Sequence, residues 1–233
     1  MAPMVCPIPQ FQEKESALID LHTHSIFSDG ELIPSELVRR ARVMGYRALA
    51  ITDHGDYSNL DFVIPRIVRA CEKLSLAYDM TIIPGIELTH VPPVHIGDLA
   101  REARSLGARL VLVHGETIAE PVPPGTNLAA LKSPIDILAH PGLITEEEAL
   151  LASQKGIFLE ITTRKGHSLT NGHVVKTARQ SGAPLILNTD SHAPEDLVSC
   201  ERAKKIACGA GMTDAEVTEM FKNSEHLVQK VLA

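Results

Sequence analysis

Two histidines near the start of the chain, His22 and His24, are separated by a single residue. In a β-strand, residues i and i+2 point to the same side, so both imidazoles can reach one metal ion. Such a pair alone is weak support, because a satisfied core or surface histidine is the usual explanation. Asp29 follows in the turn at 28–30, and its short acidic side chain can fold back towards the pair. We therefore predict a metal site here.

Further potential metal ligands stand at, or just past, the ends of short apolar runs. They are His54, Glu87, His114, His140, Asp190 and His192. In β/α proteins the functional site forms at the carboxyl ends of the parallel strands. We therefore expect these side chains to meet at that end of the sheet or barrel, which we call the mouth. Imidazoles mixed with carboxylates suit divalent zinc, iron or manganese. Chance convergence is the alternative, but carboxylates buried without a metal would carry a heavy desolvation cost.

The sixth apolar run is followed by cations instead of an obvious set of metal ligands. Arg164 and Lys165 are candidates for holding a phosphate, Arg164 with two parallel hydrogen bonds and Lys165 as a point charge. His167 is a third candidate for contact with the substrate. Their charge alone would suit two solvated loop residues equally well. Their position at the mouth favours a role in binding phosphate. Asn171 begins the next helix and is a candidate cap for it.

The remaining candidates differ in how well their positions suit a site. Asp53 precedes a predicted ligand and is a candidate for a hydrogen bond to an imidazole. His90 is a candidate for contact with the substrate or with a metal ligand, although a position without a role in the site is favoured. His95 is expected early in a helix on the surface, and His226 is expected to be solvated in the last helix.

Apolar runs and amphipathic stretches alternate along the chain, which predicts strands and helices in turn. The predicted strands are Ala17–Leu21, Ala48–Ile51, Thr81–Ile86, Arg109–Val113, Ile135–Ala139, Gly156–Ile161 and Pro184–Leu187. The predicted helices are Pro34–Met44, Leu60–Leu76, His95–Leu106, Thr145–Gln154 and Thr170–Ser181, with more helix in the tail from about residue 194. This alternation favours one α/β domain over residues 1–233, as a closed or nearly closed barrel. An open doubly wound sheet remains the alternative.

The composition limits the partners of the protein. The formal net charge is −7 and the pI is about 5.9, which disfavours long nucleic acid. A small anionic substrate is still compatible, because bound metal ions reverse the local potential. No apolar run is long enough to span a membrane, and the N-terminus lacks the pattern of a signal peptide, so we expect a cytoplasmic protein. The four cysteines form no Cys-X-X-Cys pair and are expected to be reduced thiols.

Five motifs occur in an order that resembles the polymerase and histidinol phosphatase (PHP) superfamily. They are HTHSIFSDG at 22–30, ITDHG at 51–55, PGIE at 84–87, AHPG at 139–142 and NTDSH at 188–192. The stretches HVPP at 90–93 and RKGHSLTNGH at 164–173 resemble a stand-alone, histidinol-phosphatase-like branch. The resemblance spans Asp20 to His192. It implies a distorted (β/α)7 barrel that binds two or three divalent metal ions.

Carried over position by position, the resemblance also implies a ligand set for each ion. The first ion would take His22, His24, Glu87 and Asp190; the second Glu87, His114 and His140; the third Asp29, His54 and His192. Some family members have histidine where this chain has Asp29. The oxygen ligand at this position leaves zinc, manganese and iron all open.

Together these features predict a metal-dependent phosphomonoesterase that acts on a small phosphorylated metabolite, such as histidinol phosphate or a nucleotide. Water bridging two ions would be the nucleophile. No protein nucleophile is expected, because Ser25, Ser28 and the cysteines lack a matching base. The alternatives are a nuclease or cyclic phosphodiesterase at the same metals, a metal-dependent amidohydrolase, and a non-catalytic metal-binding domain. A nuclease would favour a basic stripe that this chain lacks.

Overall fold

The strands pair side by side in one parallel sheet in the computed structural model, which describes residues 18–233. The strands are β1 (Ile19–Asp20), β2 (Ala48–Ile51), β3 (His54–Gly55), β4 (Thr81–Leu88), β5 (Leu110–His114), β6 (Ile137–Ala139), β7 (Phe158–Thr162) and β8 (Leu185–Asn188). The pairing order is β1-β2-β4-β5-β6-β7-β8, and the two-residue β3 pairs with β4 beyond the end of β2. The seven predicted strands are thus confirmed, and Ala17 lies outside the described residues.

The sheet closes through the segments that follow β1 and β8. Thr23 and Ser191 form a parallel bridge. The backbone N–H of His24 donates to the carbonyl of Ser191 at 2.8 Å, and the N–H of Asp190 donates to the carbonyl of His22 at 2.9 Å. The predicted distorted barrel of seven strands is therefore confirmed in a nearly closed form, and the open doubly wound sheet is excluded.

Helices connect the strands and cover the outside of the barrel. They are α1 (Pro34–Val43), α2 (Leu60–Tyr78), α3 (Ile96–Ser105), α4 (Thr126–Leu131), α5 (Glu146–Lys155), α6 (Asn171–Ser181), α7 (Cys200–Gly209) and α8 (Asp214–Leu232). The sequence did not predict α4 or β3, which are short and lack a periodic pattern. A capping box at Thr213 and Glu216 begins α8, because each side chain satisfies a backbone N–H of the other residue.

The interior of the barrel is a separate apolar cluster, distinct from the core between strands and helices. Its strand residues alternate along the chain, as the period of two requires: Ile19, Leu21, Ala48, Ala50, Ile83, Leu110, Leu112, Ile137, Phe158 and Ile186. Leu227 of α8 joins this cluster and is fully buried. Asn223 of the same helix donates to the carbonyl of Leu185 at the start of β8. Helix α8 therefore closes the end of the barrel where the strands begin, which we call the floor.

Two further predictions concern the cysteines and membrane-spanning helices. Cys71, Cys200 and Cys208 are free thiols in it, and Cys6 lies outside it. Among the helices described, none combines the length and the apolar character needed to cross a membrane.

Candidate metal centre

The predicted ligands of the first ion lie together at the carboxyl ends of β1, β4 and β8. His22 Nε2 is 3.4 Å from Glu87 Oε2, and His24 Nε2 is 3.2 Å from Asp190 Oδ1. The side chains of all four residues are at most 3% exposed. Two carboxylates and two imidazoles therefore share one small volume shielded from water.

Glu87 occupies the centre of this group. Besides His22 and His24, its carboxylate lies 2.8 Å from His54 Nδ1 and 3.5 Å from His140 Nε2. Four imidazoles from three strand ends thus surround one buried carboxylate. This position makes Glu87 a candidate ligand for more than one of the predicted ions.

The ligands predicted for the third ion lie at the edge of the mouth. Asp29 Oδ1 is 3.4 Å from His54 Nε2 and 3.2 Å from His192 Nε2. The side chain of Asp29 is 57% exposed, against 24% for His54 and 12% for His192, so this group faces solvent. His24 stacks on His192, with ring centroids 4.0 Å apart, and so connects this group to the first.

The ligands predicted for the second ion lie at the ends of β5 and β6. The rings of His114 and His140 are 4.5 Å apart, centroid to centroid, and both side chains are almost fully buried. The ring of His167 stacks on that of His140, with centroids 4.3 Å apart. The structure thus brings all nine predicted metal ligands to one mouth, and it places His167 among them.

Several buried polar atoms in this centre have no hydrogen-bond partner among the described residues. They are His22 Nε2, both ring nitrogens of His24, Glu87 Oε1, His114 Nε2 and His140 Nδ1. Buried polar groups in folded proteins are almost always satisfied, so a cluster of unsatisfied ones needs a ligand. Nitrogen and carboxylate donors together suit divalent zinc, iron or manganese. The residues present therefore fit the metal ions that the sequence predicts.

The pKa values of the ligands in the centre are shifted in both directions. Burial opposes protonation of His54, but the neighbouring Glu87 and Asp29 raise the pKa of its imidazole to about 10. Burial and the neighbouring His54 lower the pKa of His24 well below its usual range. Burial and His140 lower the pKa of His114 to about 4. Burial opposes ionisation of Glu87, but the nearby imidazoles hold the pKa of its carboxyl well below its usual range. Neutral imidazoles and ionised carboxylates are the forms that bind metal.

Glu160 holds the first histidine in place, and the sequence did not identify it. Its Oε1 accepts a hydrogen bond from His22 Nδ1 at 2.8 Å, which turns His22 Nε2 towards Glu87. Glu160 also accepts from the backbone N–H of His140 and from Asn188 Nδ2. A lone carboxylate inside the apolar strand Phe158–Thr162 was the available signal.

Asp53 has a different role from the one predicted. Its carboxylate accepts hydrogen bonds from the hydroxyls and backbone N–H groups of Ser25 and Ser28, and none from an imidazole. It therefore fixes the loop that carries Asp29. Both serine hydroxyls thus have a carboxylate neighbour, but Ser25 is fully buried, and the absence of a protein nucleophile stays a prediction.

The three predicted phosphate or substrate groups lie in different surroundings. Arg164 Nη1 donates to Asp196 Oδ2 at 3.0 Å, while its Nε is 3.8 Å from Asp190 Oδ2 at the edge of the centre. Lys165 is exposed, and no hydrogen bond or ion pair joins it to the rest of the described chain. His167 is 7% exposed and faces the second group. Only Arg164 thus combines a charge with a position beside the predicted ligands.

Two predicted ligands have an unusual backbone conformation. His140 has a φ of 28° and Asp190 a φ of 53°, in the left-handed region that residues with a Cβ rarely adopt. Such strain persists where the surrounding structure imposes it, often at functional sites. At these positions the chain turns sharply after β6 and β8, which brings the two side chains into the mouth.

The other candidates lie outside the centre. His90 is exposed, and its Nε2 is 3.0 Å from Glu120 Oε1 at the rim. His95 and His226 are exposed, as predicted. Asn171 does not cap α6, because its side-chain amide bonds both backbone groups of Thr162.

Known proteins resemble this chain over most of its length. A family model described as the PHP domain matches residues 20–117. An uncharacterised protein of Methanocaldococcus jannaschii is 52% identical over 200 residues, which cover 85% of this chain and 92% of that protein. A probable phosphatase of Thermoanaerobacter sp. (strain X514) is 26% identical over 245 residues, which cover 91% of this chain and 95% of that protein.

Two solved structures share the fold. A chain in the cryo-EM structure of archaeal ribonuclease P with mature tRNA has a TM-score of 0.70 at 14% identity, covering 91% of this chain and 90% of that one. Histidinol phosphate phosphatase from Lactococcus lactis, complexed with zinc, L-histidinol and phosphate, has a TM-score of 0.61 at 18% identity, covering 84% and 94%. At such low identities these likenesses concern the fold alone. The family model and the sequence relatives show that the chain belongs to the PHP domain family.

Proposed function

We propose that this protein is a phosphomonoesterase that removes phosphate from a small metabolite, such as histidinol phosphate or a nucleotide, with the help of two or three divalent metal ions. The observation that carries the proposal is the buried carboxylate of Glu87, which four imidazoles surround at the mouth of the barrel. The family and the probable phosphatases related to the chain make it a metal-dependent phosphoesterase hydrolase. The substrate class is our inference.

We assign the ligands as the sequence predicts them. The first ion takes His22, His24, Glu87 and Asp190, the second Glu87, His114 and His140, and the third Asp29, His54 and His192. When bound, such ions activate water at neutral pH and neutralise the charge on phosphoryl oxygens. Zinc, manganese and iron all suit this mixture of nitrogen and oxygen donors.

The chain itself supplies orientation and charge around the ions. Glu160 holds the His22 ring through Nδ1, and the carbonyl of Asp190 does the same for His192 at 2.9 Å. Arg164 lies at the edge of the centre with its Nε 3.8 Å from Asp190, where its guanidinium can donate to a phosphoryl oxygen. Lys165, exposed on the same loop, can approach a bound phosphate as a second cation.

The charge of the mouth favours a small monoester over a polynucleotide. The exposed side chains at its rim include the carboxylates of Asp29 and Glu120, which are 57% and 52% exposed. Polynucleotide binding depends on many cationic contacts to phosphates. A net charge of −7 opposes such contacts, whereas one phosphate group needs only the ions and a single arginine.

The test is phosphate release by protein loaded in turn with manganese, iron and zinc. p-Nitrophenyl phosphate and bis(p-nitrophenyl) phosphate are compared first, and a panel of phosphorylated metabolites follows. We expect faster turnover of the monoester, and loss of turnover in His22→Ala. The control is His226→Ala, which changes an exposed histidine on α8. Faster turnover of the diester would support the nuclease alternative, and inactivity on every phosphoester with metal bound would refute the proposal.

A further inference from the structure

His167, which the sequence suggested as a substrate contact, lies beside the second group of ligands. It begins the short 3-10 helix His167–Thr170 after β7 and is 7% exposed. One potential ligand atom from each of His114, His140 and His167 lies within 4.8 Å of the others. The ring centroids of His167 and His140 are 4.3 Å apart, and those of His167 and His114 are 5.8 Å apart.

The orientation of the His167 ring matches that of the predicted ligands. A ligating histidine usually has its second ring nitrogen bonded to the protein, which fixes the ring and leaves the other nitrogen for the metal. Four of the six predicted histidine ligands have Nδ1 held by an oxygen of the chain: His22, His54, His114 and His192. His167 follows the same pattern, because its Nδ1 is 2.8 Å from Thr117 Oγ1.

Histidines outside the centre show the opposite arrangement. His90 uses Nε2 for its contact with Glu120, and His173 uses Nε2 for its contact with the carbonyl of Ile144. In His167, Nε2 is the nitrogen without a hydrogen bond; it lies 4.0 Å from Glu120 Oε2, the same carboxylate oxygen that lies 3.7 Å from His114 Nε2. The free nitrogen of His167 is therefore on the side of the metal ligands.

The two histidines next to His167 also have buried nitrogens without a hydrogen bond. His114 is 2% exposed, and its Nε2 has no hydrogen bond within the described chain. His140 Nδ1 is buried and unpartnered as well. Three imidazoles that converge without bonding one another, two of them with unsatisfied buried nitrogens, are the arrangement of a cation site.

We propose that His167 is a ligand of the second ion, which would then be held by His114, His140 and His167 with Glu87 shared with the first ion. This inference rests on the metal-dependent function proposed above. Three imidazole donors suit zinc or iron at this position.

The test measures metal binding directly. Full-length protein is freed of metal, titrated with zinc against a chelating dye, and loaded with cobalt for absorption spectroscopy; the bound metal is counted by elemental analysis. In His167→Ala and His167→Gln we expect the affinity of one site to fall at least a hundredfold, with a change in the cobalt spectrum. This estimate exceeds the roughly 10–100-fold effect typical of a group that only orients a ligand. His95→Ala, which changes an exposed histidine outside the centre, should behave as the wild type.

A second variant covers the case in which the replacement of His167 prevents folding. Thr117→Val keeps the imidazole but removes the oxygen that holds Nδ1, so we expect about a 10–100-fold loss of affinity at the same site. Unchanged affinity, stoichiometry and cobalt spectrum in the His167 variants would overturn the inference. If those variants bind metal normally but lose phosphatase activity, His167 contacts substrate and the proposed function stands. If the wild type binds no divalent ion, both proposals fail.

Discussion

The two ends of the barrel contain opposite kinds of side chains. At the floor, Leu227 of α8 is fully buried among apolar residues of the strands, and the cluster needs no further partner. At the mouth, His22, His24 and Glu87 are equally buried, but several of their polar atoms have no hydrogen bond. The floor is complete as the chain folds, whereas the mouth is complete only with a ligand.

This contrast separates stability from function along one barrel axis. Apolar burial stabilises the fold by roughly 1.5–3 kcal/mol for each large aliphatic side chain. Buried ionisable groups are costly unless they are paired or bind metal, so they are retained where they serve a function. Replacements at the mouth should therefore affect catalysis and metal binding first, and replacements at the floor should affect the free energy of unfolding.

The largest effect is expected at the centre of the mouth. Glu87→Gln keeps the shape of the side chain but removes the charge that four imidazoles surround. Metal ions supply several kcal/mol of transition-state stabilisation, so loss of a shared ligand should lower kcat/KM about a thousandfold or more. Steady-state kinetics on p-nitrophenyl phosphate measures it, with the exposed Glu219→Gln as the control. A kcat/KM within tenfold of the wild type would contradict the role of Glu87.

At the floor, the matched change is Leu227→Ala. It leaves a cavity inside the barrel, and such a replacement of a buried leucine costs about 2–5 kcal/mol. Urea unfolding of the metal-free protein measures the loss, while kcat on p-nitrophenyl phosphate should stay near that of the wild type. Leu232→Ala, on the same helix but 47% exposed, should cost much less. A large fall in kcat without loss of stability would break the separation between the two ends.

The sequence predicted the mouth better than its surroundings for a geometric reason. Parallel strands in one barrel end on the same side, so a ligand that follows a strand, such as His114, can be placed from the position of the strand alone. Asp29 was predicted from the turn that follows the His-X-His pair, and His54, which begins β3, from the end of the second apolar run. The motif order added the division of the ligands among the ions. None of these predictions needed the distances that the structure supplies.

What escaped prediction depends on contacts between distant segments. Arg164 is bound to Asp196, which belongs to the loop after β8, and this partner leaves it only partly turned to the centre. The left-handed backbone of His140 and Asp190 is set by the surrounding barrel, since neither residue type requires it. Glu160 lies in β7, where a single carboxylate in an apolar strand did not reveal that it bonds His22.

Glu160→Gln tests whether a residue that bonds a ligand, and is not itself a predicted ligand, contributes to metal affinity. The neutral amide weakens the hold on His22 Nδ1 and lowers the basicity of that ring, so we expect metal affinity to fall about 10–100-fold. Competition with a chelating dye measures the affinity, and Glu219→Gln again serves as the control. Wild-type affinity in Glu160→Gln would limit this carboxylate to a structural role.

The smallest effect concerns the beginning of the helix that closes the floor. Thr213 caps α8 by accepting a hydrogen bond from the N–H of Glu216, and removal of such a cap costs about 1 kcal/mol. Thr213→Ala should therefore lower the free energy of unfolding by about that amount and leave kcat on p-nitrophenyl phosphate unchanged, since α8 lies at the opposite end from the metal ligands. Thr218→Ala is the matched control, because Thr218 lies inside the same helix and bonds only the carbonyl of Asp214. An equal loss of stability in both variants would show that the capping hydrogen bond of Thr213 contributes no more than the hydroxyl of Thr218. A fall in kcat would show that changes at the floor affect catalysis at the mouth.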